Sequence, residues 1–310
     1  MKKLIALLVV LAVLAGAVWY FVIDGEAPEN AAGAIDIAAL RGVVAADAPE
    51  TLPSAIHIEF VGESQAPSFA AEAGAFDGQR TFSYNSFQIV TPAGDIIIDG
   101  AVDRETLDEM SNSRGSFSEE AYHRVLNAMS GAQAVLITHE HLDHVMAIAR
   151  HPAPDLIARR LQLTAPQLAA LPDHAPEGVL APSIARINIA DFSTPQRIAP
   201  GVSVVAAPGH SEGTILIFVR TAAREHLFIG DIAWMMSNIE NTRGRPRLVR
   251  LVVPGVDPDR PAVLRQLRAL HDLRAAEPDL VIVPAHDDGY LRQLVTDGVL
   301  GEEFTVPITQ

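Results

Sequence analysis

The chain has 310 residues, of which 49% are hydrophobic, and it carries a net charge of −15 and no cysteine. This length allows one large domain or two small ones with a sizeable core. Because nucleic-acid-binding proteins usually present a basic surface, the acidic balance argues against DNA or RNA as a partner. The lack of cysteine excludes disulfides, thiolate-ligated zinc, a cysteine nucleophile and a lipidated cysteine anchor.

Residues 4–23 form an unbroken apolar run that follows Lys2 and Lys3. About 20 apolar residues suffice to span a bilayer, and the lysines suit the cytoplasmic side. Ala15-Gly16-Ala17 matches the cleavage site of a signal peptide, but the bulky apolar residues after it favour an uncleaved signal anchor. Either alternative exports the rest of the chain. We therefore expect a membrane-anchored protein that faces the periplasm or the exterior, or a secreted one if residues 1–23 are cleaved.

Residues 24–54 are rich in Ala, Gly, Pro and acidic residues, which predicts a linker with one short helix at Ile35–Leu40. From Ala55 onward the pattern is that of a folded domain, expected over residues 55–310. A polar loop at Gly62–Arg80 is a candidate lid over a site. The predicted strands are Ala55–Val61, Thr81–Val90, Asp95–Gly100, Ala134–Thr138, Leu156–Ala158, Ala185–Ala190, Gly201–Ala206, Thr214–Arg220, His226–Ile229 and Leu280–Val283. The predicted helices are Ser118–Met129, Val145–Arg150, Ala165–Leu171, Pro261–Ala275 and Gly289–Val295.

Interspersed strands and helices predict an α/β or α+β layered domain. Residues of metal-ligand type recur where four of its strands end. The first cluster is residues 138–144, Thr-His-Glu-His-Leu-Asp-His, and His210, Asp231 and His286 follow three later strands. Imidazole and carboxylate groups suit zinc and similar divalent ions. A single histidine is more often a packed or surface residue, but the joint pattern predicts a metal site.

The strings His139-x-His141-x-Asp143-His144, Pro208-Gly209-His210, Gly230-Asp231 and Pro284-x-His286 together resemble the metallo-β-lactamase-fold hydrolase superfamily. The resemblance covers about residues 55–296 and implies a four-layer αβ/βα sandwich, with the site at one edge of two facing sheets. It implies two metal ions. The first would be held by His139, His141 and His210, and the second by Asp143, His144 and His286, with Asp231 bridging them. It also implies that Asp99 orients a ligand histidine, against the alternative of a strand-end turn residue.

Two ions, zinc with iron or manganese as alternatives, can share a hydroxide, lower its pKa and polarise a carbonyl or phosphoryl oxygen. The catalytic carboxylates implied are Asp143, which would take up or deliver a proton after attack, and the bridging Asp231. His141 stands where the flavodiiron oxygen reductases have glutamate, which disfavours redox chemistry. Cysteine-free β-lactamases typically lack the bridging aspartate. The pattern is therefore more similar to the lactonase and glyoxalase II branches.

We accordingly expect a hydrolase of a small-molecule ester, lactone or thioester, similar to N-acyl-homoserine-lactone lactonases. A β-lactamase and a phosphodiesterase on the same fold are the alternatives, and an inactive binding protein is another. Trp234 either lines a pocket or fills the core. Arg243, Arg245 and Arg247 either grip an anionic group or lie in a solvated loop, which is the favoured interpretation. The sequence carries no signal for an oligomeric state.

Overall fold

A computed structural model describes residues 1–31 and 33–305 of the protein. Its strands, in chain order, are β1 (Ala55–Pro67), β2 (Gln79–Val90), β3 (Ile96–Ile98), β4 (Ser116–Phe117), β5 (Ala134–Leu136), β6 (Gln196–Ala199), β7 (Val202–Ala206), β8 (Ile215–Arg220), β9 (Glu225–Gly230), β10 (Val281–Pro284) and β11 (Gly301–Glu302). In the described residues they form two sheets. The first has the order β11-β1-β2-β3-β5, with β4 paired to β1, and the second has the order β10-β9-β8-β7-β6.

The helices are α1 (Lys2–Val18), α2 (Ile37–Gly42), α3 (Ser68–Ala71), α4 (Arg104–Ser111), α5 (Glu119–Gly131), α6 (Leu142–Ala149), α7 (Pro154–Ala158), α8 (Ala165–Ala170), α9 (Met236–Glu240), α10 (Val249–Val252), α11 (Arg260–Ala276) and α12 (Asp288–Thr296). Five of these helices, α2, α4, α5, α11 and α12, begin at a residue whose side chain caps a free backbone N–H group of the first turn. Ser118, for example, accepts from the N–H of Ala121 at 3.1 Å, and Asp259 accepts from that of Ala262 at 3.0 Å.

Three apolar clusters order these elements into layers. The central cluster lies between the sheets, where Ile58 and Ile98 of the first meet Ile217 and Phe228 of the second. A second cluster joins the outer face of the first sheet to α5 and α6. A third joins the outer face of the second sheet to α2, α9 and α11. Helix, sheet, sheet and helix thus form four layers, and the predicted fold class is confirmed.

The predicted loop at Gly62–Arg80 is wrong at both ends, because Gly62–Pro67 and Gln79–Arg80 are strand residues of a long hairpin, and only residues 68–78 connect the two strands. β1 continues to Pro67 and pairs with β2 from Gln79 onward, with a shift of register between Phe60 and Gly62. The outer half of β1 carries polar, partly exposed side chains. Polar residues on both faces conceal the apolar alternation by which a strand is recognised in sequence.

Two predicted strands are also wrong. Leu156–Ala158 lies in helix α7, which begins at Pro154, a residue suited to the first helical turn. A run of only three apolar residues is compatible with a buried strand and with a short buried helix, so its sequence does not decide between them. Ala185–Ala190 forms no strand, and the edge of the second sheet is instead Gln196–Ala199, whose polar residues are mostly exposed.

Residues 24–54, interpreted from the sequence as a linker, pack against the second sheet in the structure. Leu40 and Val44 are buried in the outer cluster of that sheet. Arg41 forms ion pairs with Glu225, at 2.5 Å, and with Glu277. The short predicted helix is present two residues later than expected, as α2. The segment differs from a linker because four of its apolar side chains, Ile35, Ile37, Leu40 and Val44, pack against the domain.

The apolar N-terminal segment is helical throughout. α1 continues as a turn of π-helix at Trp19–Ile23. Lys2–Ile23 has a mean hydropathy of 2.7 in its most apolar window, and none of that window is buried. By length and composition this helix could cross a membrane, a test that a signal sequence also passes.

Candidate metal centre

The predicted ligand residues meet at one edge of the two sheets. β7, β9 and β10 of the second sheet run in the same direction, so the residues that follow them, His210, Asp231 and His286, emerge together. The run His139–His144 follows β5 of the first sheet and leads into α6. The strand-end arrangement expected from the sequence therefore brings all seven residues into one place.

The seven residues form two groups that share one carboxylate. In each group the candidate ligand atoms lie within 4.8 Å of one another. The first group comprises His139, His141, His210 and Asp231, and the second comprises Asp143, His144, Asp231 and His286. This division is the one that the sequence resemblance implies.

Asp231 faces each group with a different oxygen atom. Its Oδ2 lies 3.4 Å from His210 Nε2 and 3.6 Å from His139 Nε2. Its Oδ1 lies 3.0 Å from His286 Nε2 and 3.4 Å from His144 Nε2. A carboxylate in this position can bridge two cations while each oxygen serves one of them.

Three polar atoms of the cluster are buried without any hydrogen-bond partner among the described residues, namely His139 Nε2, His144 Nε2 and Asp231 Oδ1. An unpaired buried polar atom costs about 1–3 kcal/mol, and three in one place need a common explanation. All three point into the space that the ligand atoms surround. A divalent cation bound by imidazole and carboxylate would satisfy each of them, so the donor set fits a metal site.

Hydrogen bonds at the far side of three imidazole rings aim Nε2 at this space. His144 Nδ1 donates to Asp99 Oδ2 at 2.9 Å, His210 Nδ1 to Asp257 Oδ1 at 2.9 Å, and His286 Nδ1 to the Ser83 carbonyl at 2.9 Å. Since an imidazole that donates through Nδ1 keeps a lone pair on Nε2, these bonds select the tautomer that can bind a metal.

Asp99 occupies the position that the sequence resemblance suggests. It also accepts from the backbone N–H of Thr138 at 2.6 Å and has a left-handed φ of 62°, so the turn after β3 presents its carboxylate to His144. Asp257 and the Ser83 carbonyl are not anticipated by the sequence reasoning. No spacing relates them to their histidines, because these contacts arise only where the chain folds back.

The position of Arg245 differs from the one expected from the sequence. The favoured interpretation of a solvated arginine-rich loop is wrong for this residue, which is buried. Its Nε donates to Asp257 Oδ2 at 3.0 Å, and its guanidinium lies 4.7 Å from the centre of the Trp234 ring. Arg245 therefore compensates the buried charge of the carboxylate that orients His210.

Trp234 lies at the metal centre and also packs against a small buried apolar cluster that includes Phe82 and Tyr84. Its indole Nε1–H donates to Asp231 Oδ2 at 2.6 Å. Its ring packs edge-on against Phe82, with 5.6 Å between ring centres. The tryptophan consequently holds the shared carboxylate on one side and forms part of an aromatic wall on the other.

The electrostatic environment differs between the two groups. Burial, together with His144, lowers the pKa of His139 well below its usual value, and burial and His210 lower the pKa of His141 to about 4. Burial also lowers the pKa of His144, but Asp99, Asp143 and Asp231 outweigh it and raise that pKa well above the usual value. For Asp231, burial raises the pKa, but His286 and His139 outweigh it and hold the carboxylate ionised. His139 and His141 are thus neutral imidazoles, the form that binds metal.

No protein-family model matches the chain, and neither does any curated protein. Solved structures do match it. A quorum-quenching N-acyl homoserine lactone lactonase is 17% identical, with a TM-score of 0.56 over 80% of this chain and 96% of that one. An N-acyl homoserine lactone hydrolase with the product N-hexanoyl-L-homoserine at its catalytic metal centre is 17% identical, with a TM-score of 0.55 over 78% and 96%. A probable metal-dependent hydrolase from Staphylococcus aureus is 13% identical, with a TM-score of 0.56 over 77% and 91%.

These similarities bear on the fold. The chain covers more than nine-tenths of each of these structures, so the likeness extends over nearly their whole length. The protein has the metallo-β-lactamase fold that the ligand pattern predicts, and this prediction is confirmed. Its candidate divalent metal site lies at the edge of the sheets where two groups of histidine and aspartate converge.

Proposed function

We propose that the protein is a dinuclear metal-dependent hydrolase of a small ester, lactone or thioester, with N-acyl-homoserine lactones first among the candidates. The observation that carries the proposal is the sharing of Asp231 between two groups of ligand-type residues. Each group offers three further ligands. A site with three ligands and a bridge leaves room for a water or substrate atom, which is typical of catalytic sites.

The metal ions, which we propose to be two zinc ions with iron or manganese as alternatives, would when bound lower the pKa of a water and polarise the substrate carbonyl. His139, His141 and His210 would hold the first ion, and Asp143, His144 and His286 the second. Asp231 would bridge them, fixed by the indole N–H of Trp234 at 2.6 Å.

Asp143 is suited to proton transfer. Its side chain is about 14% exposed, whereas that of Asp231 is almost fully enclosed. Its Oδ2 lies 3.3 Å from His286 Nε2, and its Oδ1 lies 3.9 Å from His144 Nε2. A partly open carboxylate next to the reacting bond can accept a proton at Oδ and deliver it to the leaving oxygen or sulfur.

An aromatic wall beside His286 supports an acyl substrate. The rings of Phe82, Tyr84 and Trp234 lie 6.2, 5.4 and 6.4 Å from the His286 ring, centre to centre. Burial and Asp143 raise the pKa of Tyr84, so its hydroxyl stays protonated. It lies 2.8 Å from Ser64 Oγ and can serve as a hydrogen-bond donor. Apolar walls with few polar groups are typical of small-molecule sites.

The test is hydrolysis of a panel of acyl lactones and thioesters by the metal-loaded protein, by the chelated protein and by a His210→Gln variant. We expect turnover that chelation abolishes and metal restores, and loss of at least one bound ion per chain in the variant. The matched control is His123→Gln, at an exposed histidine outside both groups. Activity unaffected by metal removal would contradict the proposal.

The panel also separates the alternatives. Nitrocefin turnover without lactone turnover would indicate a β-lactamase, and cleavage of a chromogenic phosphodiester alone would indicate a phosphodiesterase. Less than about one metal ion per chain, after loading, would favour a binding protein on this scaffold. The acidic net charge of −15 still argues against a nucleic-acid substrate.

We further propose that Lys2–Ile23 anchors the protein in a membrane, with the folded domain on the outer side. The support is the length and hydropathy of the helix, whose most apolar window has no buried residue. Lys2 and Lys3 precede it, as the positive-inside rule requires for a helix whose N-terminus stays in the cytoplasm. Cell fractionation with detergent and high-salt extraction tests the anchor, since an integral protein is released only by detergent.

A further inference from the structure

Four large apolar side chains are exposed on two segments of the domain, both near the end of the N-terminal helix. Phe76 lies in the turn between α3 and β2 and is 65% exposed. Leu251, Val252 and Val253, in and just after α10, are 68%, 69% and 43% exposed. Large apolar side chains exposed in this way mark an interaction surface. We call these four residues the apolar patch.

Both segments are hydrogen-bonded to the end of the apolar N-terminal helix. The N–H of Gly74 donates to the Val22 carbonyl at 3.0 Å, and the N–H of Leu248 donates to the Phe21 carbonyl at 2.9 Å. Phe76 is two residues from Gly74, and Leu251 is three residues from Leu248. Because a residue spans at most about 3.6 Å, Phe76 and Leu251 are within roughly 11 Å of chain from the residues bonded to the last turn of the helix, and Val252 and Val253 follow Leu251 directly.

An arginine strengthens this attachment. Arg247 donates from Nη1 to the Tyr20 carbonyl at 3.0 Å, pairs with Asp24, and stacks on the Tyr20 ring with its guanidinium carbon 4.2 Å from the ring centre. Tyrosine and arginine are residues that favour the headgroup layer of a membrane. Arg250, on α10, is exposed beside the patch.

The same segment reaches the metal centre. After Val253 the chain continues to Gly255, where an added Cβ would lie 3.3 Å from His141 Nε2. His141 and Asp143 are the members of the two groups that are not fully buried, so the site opens on their side. The segment from residue 247 to residue 255 therefore runs from the end of the helix, past the apolar patch, to the open side of the site.

We propose that the apolar patch rests in the interfacial layer of the bilayer that holds α1, and that the site takes an amphiphilic acyl substrate from that membrane surface. The proposal rests on the proposed hydrolase and anchor. A bilayer is the occupant because both segments of the patch are hydrogen-bonded, a few residues away, to the last turn of an apolar helix long enough to span one. Apolar side chains next to exposed basic residues are what an interfacial membrane contact requires.

The natural absence of cysteine allows a direct test. Single-cysteine variants Phe76→Cys and Val252→Cys of the full chain are labelled with an environment-sensitive fluorophore and reconstituted in phosphatidylcholine–phosphatidylglycerol vesicles. Val179→Cys is the matched control, because Val179 is 70% exposed and lies outside the patch. We expect lipids brominated on their acyl chains to quench labels at 76 and 252 several-fold more than the label at 179. Equal quenching at the three positions would overturn the membrane contact, and so would failure of the full chain to enter vesicles.

A separate measurement tests whether the substrate reaches the site from the membrane. Val252→Asp and Val179→Asp are compared on a long-chain acyl lactone held in vesicles, after thermal unfolding has shown both to be folded. We expect Val252→Asp to lower the rate several-fold relative to Val179→Asp. Equal rates would overturn the membrane route to the site. If instead the proposed hydrolase function is wrong, the outcome is different from both of these results. The unaltered protein would then hydrolyse none of the substrates, while the labels at 76 and 252 would still be quenched more than the label at 179.

Discussion

At the scale of single residues, the hydrogen bonds behind the candidate ligands decide whether the site can form. Asp257 exemplifies this, because it joins His210, through Nδ1, to the buried guanidinium of Arg245. Burial raises the pKa of Asp257, but Arg245 and His210 outweigh it and hold that pKa well below its usual value. The carboxylate is thus ionised, and its charge makes the imidazole a better ligand.

Asp257→Asn should weaken metal binding at the first group by roughly 10- to 100-fold, because the amide orients His210 less firmly and leaves Arg245 without its counter-charge. Metal-competition titration measures this affinity. Asp259→Asn is the control, since an asparagine caps α11 as well as the native aspartate does. Unchanged affinity in Asp257→Asn would show that the hydrogen bond has no influence on the site.

His226 should make the protein acid-sensitive. Both of its ring nitrogens are buried without partners among the described residues, and burial lowers its pKa to about 4. Between that pKa and the unfolded value of about 6.5 the unfolded chain binds the extra proton, so stability falls as the pH falls through this window. At pH 5 the loss is about 2 kcal/mol. Urea unfolding at pH 7 and pH 5 should show that His226→Leu removes this part of the pH dependence, and an identical dependence in both proteins would contradict it.

At the scale of elements, the ends of strands carry the site, and their turns tolerate little change. Gly230 ends β9 with a φ of 50°, directly before Asp231. A Cβ added there would lie 2.8 Å from Thr138 Cβ. Thr138 in turn donates to Asp99, the partner of His144. The close approach of β9 to β5 therefore depends on a glycine at this position.

Gly230→Ala should lower the free energy of unfolding by about 1–3 kcal/mol, through the left-handed backbone and the clash with Thr138. It should also lower metal occupancy, because Asp231 moves with its neighbour. Gly131→Ala is the control, since a Cβ at the end of α5 meets nothing within 4 Å and alanine favours a helix. Denaturant unfolding with metal analysis measures both effects, and equal stability of the two variants would refute the argument.

Truncation of Leu40 should destabilise the protein if residues 24–54 are part of the folded domain. Leu40 is fully buried between α2 and the second sheet. Leu40→Ala should cost about 2–5 kcal/mol of stability, as for other truncations of buried leucine. Val43→Ala, at a half-exposed position one turn away, should cost much less. Equal, small losses in thermal unfolding would instead mean that the segment behaves as a linker.

At the scale of the whole molecule, two sheets from distant parts of the chain are held together partly by the candidate ligands. β5 supplies the first cluster from one sheet, and β7, β9 and β10 supply the rest from the other. A cation bound by both would link the two halves of the sandwich. Metal binding should therefore stabilise the global fold and not only the site.

Chelation should lower the unfolding temperature, and added zinc should restore it. At a free metal concentration 1,000 times the Kd, the expected stabilisation is about 4 kcal/mol. Calorimetry with and without chelator measures it. The variant His210→Gln should show a smaller difference than His123→Gln, and a metal-independent unfolding temperature in the unaltered protein would contradict the linkage.

Much of the site could be predicted from the sequence because its ligand types stand at the ends of short apolar strands, and parallel strands end at a common edge. The residues that the pattern could not supply are those that meet their partners only through space. Asp257 lies 47 residues from His210, and Ser83 lies 203 residues from His286. Neither has a local signature, since an aspartate or a backbone carbonyl occurs anywhere in a chain.

The sequence by itself determined the layered fold class, the ligand-type residues at strand ends and the apolar N-terminal helix, because each depends on periodicity or on residue type. The division of the candidate ligands into two groups was implied only by the resemblance to metallo-β-lactamase-fold hydrolases. Only the tertiary structure decided that β1 extends to Pro67, that residues 24–54 pack on the second sheet, and that Arg245 is buried under Trp234. These features depend on which surfaces from distant parts of the chain come into contact. The local sequence pattern does not predict such contacts. The attachment of the apolar helix to the segment beside the metal centre belongs to the same class.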